Sequence, residues 1–338
     1  MSYYNRLTFE TEGHIYENYA RKVERMSDCN RFWFMDRYDL AKIKDFKKTN
    51  LCRDKFCSNC KKVKQASRMG KFIPLIEPYK DNLYQMVLTV PNMAGNALLG
   101  SIKEMSECYA KLIDYLKGRK LIKGIDFKKY GYLGSIRSLE ITYRGDSYHP
   151  HYHSLIVFEN FLGYKKNENV FSKDFLGKRT KRLFSDLEIL IQKIWYLLIT
   201  GQSSKELKIT KKVIDSLDLG YSCMLDKSKQ DDFQEIFKYI AKGQSENGEL
   251  MLFDNFKVLE VVLTGIRQIQ GYGCFYNLTD DDDDFHEQVD QVYDNIILEL
   301  KEKENPLSVL QRPMDLMKND GFTIISRKRV FKYLRELN

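Results

Sequence analysis

Proline is scarce in this chain, six residues in 338. So few enforced breaks, beside 43% hydrophobic residues, predict a chain that folds over most of its length. Long apolar runs are missing, which argues against a bilayer-spanning protein. The first residues are polar and lack the apolar run of a secretory signal, so the expected location is the cytoplasm. Internal repeats are absent, leaving no basis for a repeat architecture. Charge of one sign is not dominant. Lys and Arg total 55 against 47 Asp and Glu, a net charge of +8, which fits a polyanionic partner without demanding one. What is plentiful is aromatic: 13% of residues, enough for base-stacking surfaces or for a Tyr- and Phe-rich core.

The length allows one large core or two smaller ones. Three regions are expected: a Cys-rich, basic stretch over 1–75, a central domain over 76–279, and an acidic linker with a charged tail over 280–338. In the centre, Tyr84–Val90 is β-prone and stops at Pro91-Asn92, and Ala97–Leu116 has helical spacing. Tyr132–Tyr143 and His151–Phe158 read as two strands joined by the turn residues Arg144-Gly145-Asp146-Ser147. Ser185–Leu198, Asp231–Lys242 and Asn255–Gln270 read as helices, and Tyr221–Leu225 as a short strand. Antiparallel strands with intervening helices predict an α+β fold, a sheet with helices on one face.

Five histidines are present, and three fall within His149-Pro150-His151-Tyr152-His153. Residues two apart on a strand share a face, so His151 and His153 place two imidazoles side by side. Glu140, on the partner strand of the expected hairpin, can add a carboxylate, giving a two-His, one-carboxylate metal site. A His-rich exposed strand is the plainer alternative. Pro150 is expected to break the strand, which ranks His149 below the other two.

A second pattern is Glu235-Ile-Phe-Lys-Tyr239-Ile-Ala-Lys242. On a helix, Glu235, Tyr239 and Lys242 share a face. A tyrosine can attack a phosphodiester, a carboxylate can act as a base, and a lysine can neutralise phosphate. By itself the pattern is weak, because a Glu and a Lys flanking a Tyr on a helix usually form just a solvated face.

Seven cysteines are present, an odd number, and Cys29, Cys52, Cys57 and Cys60 lie near the N-terminus. In a reducing compartment such clustering favours metal over disulfides, and four thiolates can build a tetrahedral zinc site. The long gap after Cys29 leaves ordinary reduced thiols as the alternative. Lys61, Lys62, Lys64 and Arg68 follow at once and form a candidate phosphate-binding surface, or a solvated helix face.

Order and spacing together resemble the rolling-circle replication initiators of small Gram-positive plasmids, in the HUH endonuclease superfamily. Val87-Leu88-Thr89-Val90 is similar to that family's first motif, His151-Tyr152-His153 to its second, and Tyr239-Ile240-Ala241-Lys242 to its third. Leu139-Glu140-Ile141-Thr142, Tyr148-His149-Pro150, Glu235 and the Arg267–Gly273 segment also match, as does a cysteine cluster ahead of the motifs. The resemblance runs from about Cys29 to Gly273; the tail after Asp284 departs from it.

It implies a ferredoxin- or RRM-like antiparallel sheet with the histidines on a central strand and the tyrosine on an adjacent helix. It also implies a sequence-specific, metal-dependent nickase acting on single-stranded and hairpin origin DNA. In that reading Tyr239 becomes linked to the 5′ phosphate, the free 3′ hydroxyl serves as primer, and Glu235 activates water at termination. Mg²⁺ or Mn²⁺ is expected at the His site, and Zn²⁺ at the cysteines. Host helicase and polymerase are the implied partners, with homo-oligomerisation left open and no membrane. A conjugative relaxase or HUH transposase would use the same parts. A non-catalytic, zinc-containing DNA-binding regulator is the alternative from another class.

Overall fold

The structure, a computed structural model, describes residues 2–27, 29, 34–39, 42–47, 52–57, 60–61, 64, 68, 72–159, 168–173, 179–201, 208–218, 223–228 and 251–278. Glu235, Tyr239 and Lys242, the expected helix around them, Lys62 and the C-terminal tail lie outside the described residues. Two compact units are present, one within Met1–Pro74 and one within Leu75–Asp280.

The first unit begins with two helices that the sequence reading did not assign, α1 (Ser2–Glu10) and α2 (Gly13–Ser27). Ile15, Tyr16, Tyr19, Ala20, Val23 and Met26 recur at helical spacing along α2, which is the physical signal for it. Gly13 has φ +62°, the left-handed conformation that lets the chain reverse between the helices. Tyr4 and Leu7 of α1 are buried, and the Tyr4 and Tyr19 rings meet at 6.0 Å. Strands β1 (Phe34–Asp39) and β2 (Lys42–Lys47) pair antiparallel.

The second unit is built on strands β3 (Leu83–Thr89), β4 (Tyr132–Arg144), β5 (Ser147–Phe158), β8 (Cys223–Lys227) and β9 (Ile269–Gly273). They form one antiparallel sheet in the order β8-β3-β5-β4-β9, which puts β5 in the middle. Helices α3 (Gly95–Leu116), α4 (Asp186–Ile199), α5 (Lys211–Ser216) and α6 (Phe253–Val262) accompany it, with a separate hairpin of β6 (Glu168–Lys173) and β7 (Arg179–Phe184). The fold is thus α+β, a central antiparallel sheet flanked by helices.

The β4–β5 hairpin turns through Gly145 and Asp146, with Arg144 opposite Ser147 and Gly145 at φ +56°. Pro150 does not break β5, contrary to expectation. Tyr148 exchanges both backbone hydrogen bonds with Met93, so the Pro150 nitrogen faces that same side, where β3 has already ended. A residue without an N–H costs nothing there. The expected helix Asn255–Gln270 is also corrected. It stops at Val262, a left-handed Gly265 turns the chain, and Ile269–Gly273 becomes edge strand β9.

The pleat divides the sheet's side chains. Leu139, Ile141, Tyr152 and Ile156 are buried on the face that meets α3, where Tyr109 packs edge-on to Tyr152 at 5.5 Å. Trp195 of α4 is fully buried, and its indole N–H donates to the Thr89 carbonyl at 2.8 Å, holding the end of β3. Burying such a side chain is worth about 1.5–3 kcal/mol. Ser185 and Glu188 form a reciprocal cap at the start of α4, and the second Glu188 oxygen accepts the Leu225 N–H, tying α4 to β8.

Candidate functional site

Glu140 stands directly opposite His151 across β4–β5, and Ser138 opposite His153. Glu140, His151 and His153 therefore share the sheet face away from α3. Both histidine Nε2 atoms approach one carboxylate oxygen: His151 at 3.2 Å and His153 at 2.9 Å from Glu140 Oε2. Ligand atoms about 2.1 Å from a common ion sit roughly 3 Å apart, so this spacing fits a divalent cation. His153 makes its approach without hydrogen-bond alignment, and its Nδ1 has no hydrogen-bond partner. One ligand atom from each of Glu140, His151 and His153 lies within 4.8 Å of the other two. His151 Nδ1 lies 3.2 Å from the His149 carbonyl. An Nδ1–H donated there fixes the ring and leaves the Nε2 lone pair free for a metal. The His149 ring stacks near that of His151, 5.2 Å between centroids, but is not among the converging ligands.

The site's walls are rigid. Glu140 and His151 are buried and His153 is half-buried, all on the two most extensively paired strands. Thr89 pairs with His151 and Val87 with His153, so the apolar first motif is the strand that flanks the histidines. Tyr152, between the two histidines, points to the opposite face. Burial pushes its phenol up to about 12, and it is only 1% exposed, so it is neutral and out of reach as a nucleophile.

Arg137 was not anticipated. It is buried on the helix-covered face, with its guanidinium 4.5 Å from the Tyr152 ring centre. It donates to Gln270 Oε1 at 2.8 Å, Ser106 Oγ at 2.9 Å and Tyr272 Oη at 3.2 Å. Its partners are thus neutral oxygens and an aromatic ring, drawn from α3, β5 and β9. The signal was available: Arg137 has the same strand phase as Leu139 and Ile141, a charge at a core position.

The four N-terminal cysteines come together. Cys29 Sγ lies 3.4 Å from Cys60 Sγ and 3.6 Å from Cys57 Sγ, and Cys52 Sγ is 3.5 Å from Cys60 Sγ. A tetrahedron of sulfurs bonded to zinc at 2.3 Å has edges of about 3.8 Å, so the cluster fits one Zn²⁺ with slight expansion. The backbone N–H groups of Cys52 and Arg53 donate to Cys29 and Cys60 sulfurs, a pattern that favours thiolates. Arg53 reaches its sulfur from a left-handed turn, φ 57°. Tyr4 of α1 braces the loop by donating to Asp54 Oδ2 at 2.8 Å. Hydrogen bonds from its neighbours hold the Cys57 thiol far below its ordinary range, while Cys60 is driven up by the same crowd.

Of the expected basic residues, Lys61 and Lys64 are half-exposed. Arg68 is only 3% exposed. No helix among the described residues is long and apolar enough to cross a membrane.

Comparison with known proteins places these features in context. A family model described as "Replication protein" matches residues 43–174, the stretch that holds β3, the β4–β5 hairpin and the three converging ligands. A protein from Staphylococcus aureus named "Protein rep" is 35% identical over 43% of this chain and 60% of its own length. Two further proteins of the same name, from a Bacillus species and from Bacillus amyloliquefaciens, are each 30% identical over 43% of the chain. These two are covered over 46% and 42% of their length, so the match spans about half of these relatives. No solved structure matches.

Proposed function

We propose that this chain initiates rolling-circle replication of a plasmid by nicking one strand of its origin, a reading supported by its similarity to the "Replication protein" family model and to the proteins named "Protein rep". The observation that carries this reading is the convergence of Glu140, His151 and His153 on the central strands, within the matched stretch. Those three residues would hold a divalent cation, Mg²⁺ or Mn²⁺, whose chemistry is Lewis-acid polarisation of the scissile phosphate. Two imidazoles favour Mn²⁺.

The remaining roles follow from the motifs. The Tyr239 hydroxyl attacks phosphorus, displaces the 3′ oxygen and forms a 5′ phosphotyrosine. The freed 3′ hydroxyl primes synthesis by a host polymerase behind a host helicase. Lys242 offsets phosphate charge, and Glu235 takes a proton from water in the terminating hydrolysis. A Zn²⁺ held by Cys29, Cys52, Cys57 and Cys60 would stabilise the first unit, presenting Lys61, Lys62 and Lys64 to DNA.

The test is relaxation of a supercoiled plasmid carrying the cognate origin, with Mn²⁺ and with chelator. Nicking with Mn²⁺ alone is expected. Specific binding without nicking under any metal would favour a non-catalytic regulator. Nicking confined to a transfer origin would favour a relaxase.

A further inference from the structure

We infer that the connection between α3 and β4, together with α5, is a second DNA contact, one that grips the phosphate backbone of duplex DNA next to the nicking site. The inference rests on the proposed nicking function for its purpose, but its evidence is separate. Residues 114–130 and 208–218 carry nine lysines and arginines against four aspartates, in a chain whose whole net charge is +8. None of this was singled out by motif.

The geometry gathers these cations on one surface. Left-handed glycines at 118, 124 and 131 fold the connection back on itself. A Cβ at Gly118 would meet the Lys128 side chain at 3.0 Å, and one at Gly124 would meet Lys211 of α5 at 3.1 Å. The Lys128 and Lys211 side chains therefore lie across the loop backbone. Arg119, Lys120, Lys123, Lys128, Lys129, Lys208, Lys211 and Lys212 are exposed. Two of the aspartates are engaged, Asp114 with Arg119 at 4.0 Å and Asp215 with Lys211 at 2.7 Å. Among the described residues, Lys120, Lys123, Lys128 and Lys129 have no carboxylate at ion-pair distance. Lys120 and Lys129 sit over the Tyr115 and Tyr130 rings, at 5.8 and 4.8 Å. That contact organises the ammonium groups without neutralising them.

Position decides for duplex over single strand. The patch adjoins Tyr132, the first residue of β4, and Glu140 lies eight residues along the same strand. At 3.3–3.4 Å per residue the patch is about 27 Å from the candidate metal centre. That equals about eight base pairs at 3.4 Å each. A stem held at the patch would deliver its unpaired end to the metal centre. Aromatic side chains for base stacking are not what the patch offers: Tyr115 and Tyr130 are half-buried beneath lysines.

The experiment measures binding of the full chain to a duplex of roughly 20 base pairs and arbitrary sequence, and to a single strand of the same length, from about 50 to 200 mM salt. The variant is Lys120→Ala/Lys123→Ala/Lys128→Ala/Lys129→Ala. A control removes the same charge elsewhere, Lys80→Ala/Lys103→Ala/Lys227→Ala/Lys257→Ala. Each phosphate contact contributes about 0.9 to the slope of log K against log salt, so the patch variant should lose about 3 to 4 from that slope for duplex. Its duplex affinity should fall at least about tenfold, and the four Lys→Arg changes should restore it. The control and the single strand should change little. Unchanged duplex binding, or equal loss in the control or on the single strand, would overturn the assignment. Cleavage plays no part in this readout, so a failure here is separate from failure of the nicking function.

Discussion

Arg137 and the residues it holds show how much of the candidate centre depends on the face that carries no chemistry. Its three hydrogen bonds and its stacking on Tyr152 join α3, β5 and β9 behind His151 and His153. Arg137→Met would leave Ser106, Gln270 and Tyr272 without their donor, at a cost of about 1–3 kcal/mol in thermal or denaturant unfolding. Its second effect separates positioning from stability: Mn²⁺ affinity should fall in the folded variant, and Arg137→Lys should recover part of it. An unchanged Mn²⁺ titration in folded Arg137→Met would leave Arg137 a purely structural residue. The ligands themselves give the sharper result. His151→Ala and His153→Ala should each abolish cleavage and Mn²⁺ binding while DNA-duplex binding survives, because the latter rests on cationic surface elsewhere. Glu140→Gln should weaken the metal titration, and an unaltered titration would remove Glu140 from the site.

At the scale of elements, β9 exists because two glycines let backbone approach backbone. A Cβ at Gly271 would lie 1.7 Å from the Phe275 carbonyl oxygen, and Gly273 has φ +66° against the Leu133 carbonyl. Gly271→Ala should therefore destabilise by more than about 3 kcal/mol, displacing the edge strand from β4. Gly100→Ala, on α3 with open space around its Cβ, should instead stabilise by about 0.5–1 kcal/mol. A melting comparison of the two variants reads both signs at once. The same elements show what the sequence made legible. Strands β3, β4 and β5 declare themselves through alternation and β-branched residues, and α4 through its Ser185–Glu188 cap. In the edge strand Ile-Gln-Gly-Tyr-Gly two glycines dilute the β-prone Ile269 and Tyr272, and its pairing comes from tertiary contact with β4. Pro150 misled because its harmlessness depends on which neighbour its nitrogen faces. The Glu140–His151 pairing was readable once the hairpin turn was fixed, because register follows from the turn. Arg137 was marked only by its core phase on β4, and its partners Ser106 and Gln270, far away in sequence, were not readable; nor was the packing of the α3–β4 connection against Lys211 of α5.

For the molecule as a whole, two metal centres with different work are proposed, and they can be told apart by chemistry. Elemental analysis of purified protein should find about one zinc per chain, retained on exposure to a mild chelator that removes Mn²⁺. Cys29→Ser should lower the zinc content; zinc unaffected by that change would exclude Cys29, and zinc-free protein with an intact fold would exclude the cluster. The central claim is the covalent nick, and one measurement meets it directly. A single-stranded origin oligonucleotide, labelled on the side 5′-linked after cleavage, is incubated with Mn²⁺ and the protein, and the denatured adduct is digested and sequenced by mass spectrometry. The account predicts one nucleotide-bearing peptide, with the modification on Tyr239. The adduct should be lost in Tyr239→Phe and should accumulate in Glu235→Gln, whose terminating hydrolysis is impaired. A modification on any other residue, or an adduct that persists in Tyr239→Phe, would contradict it.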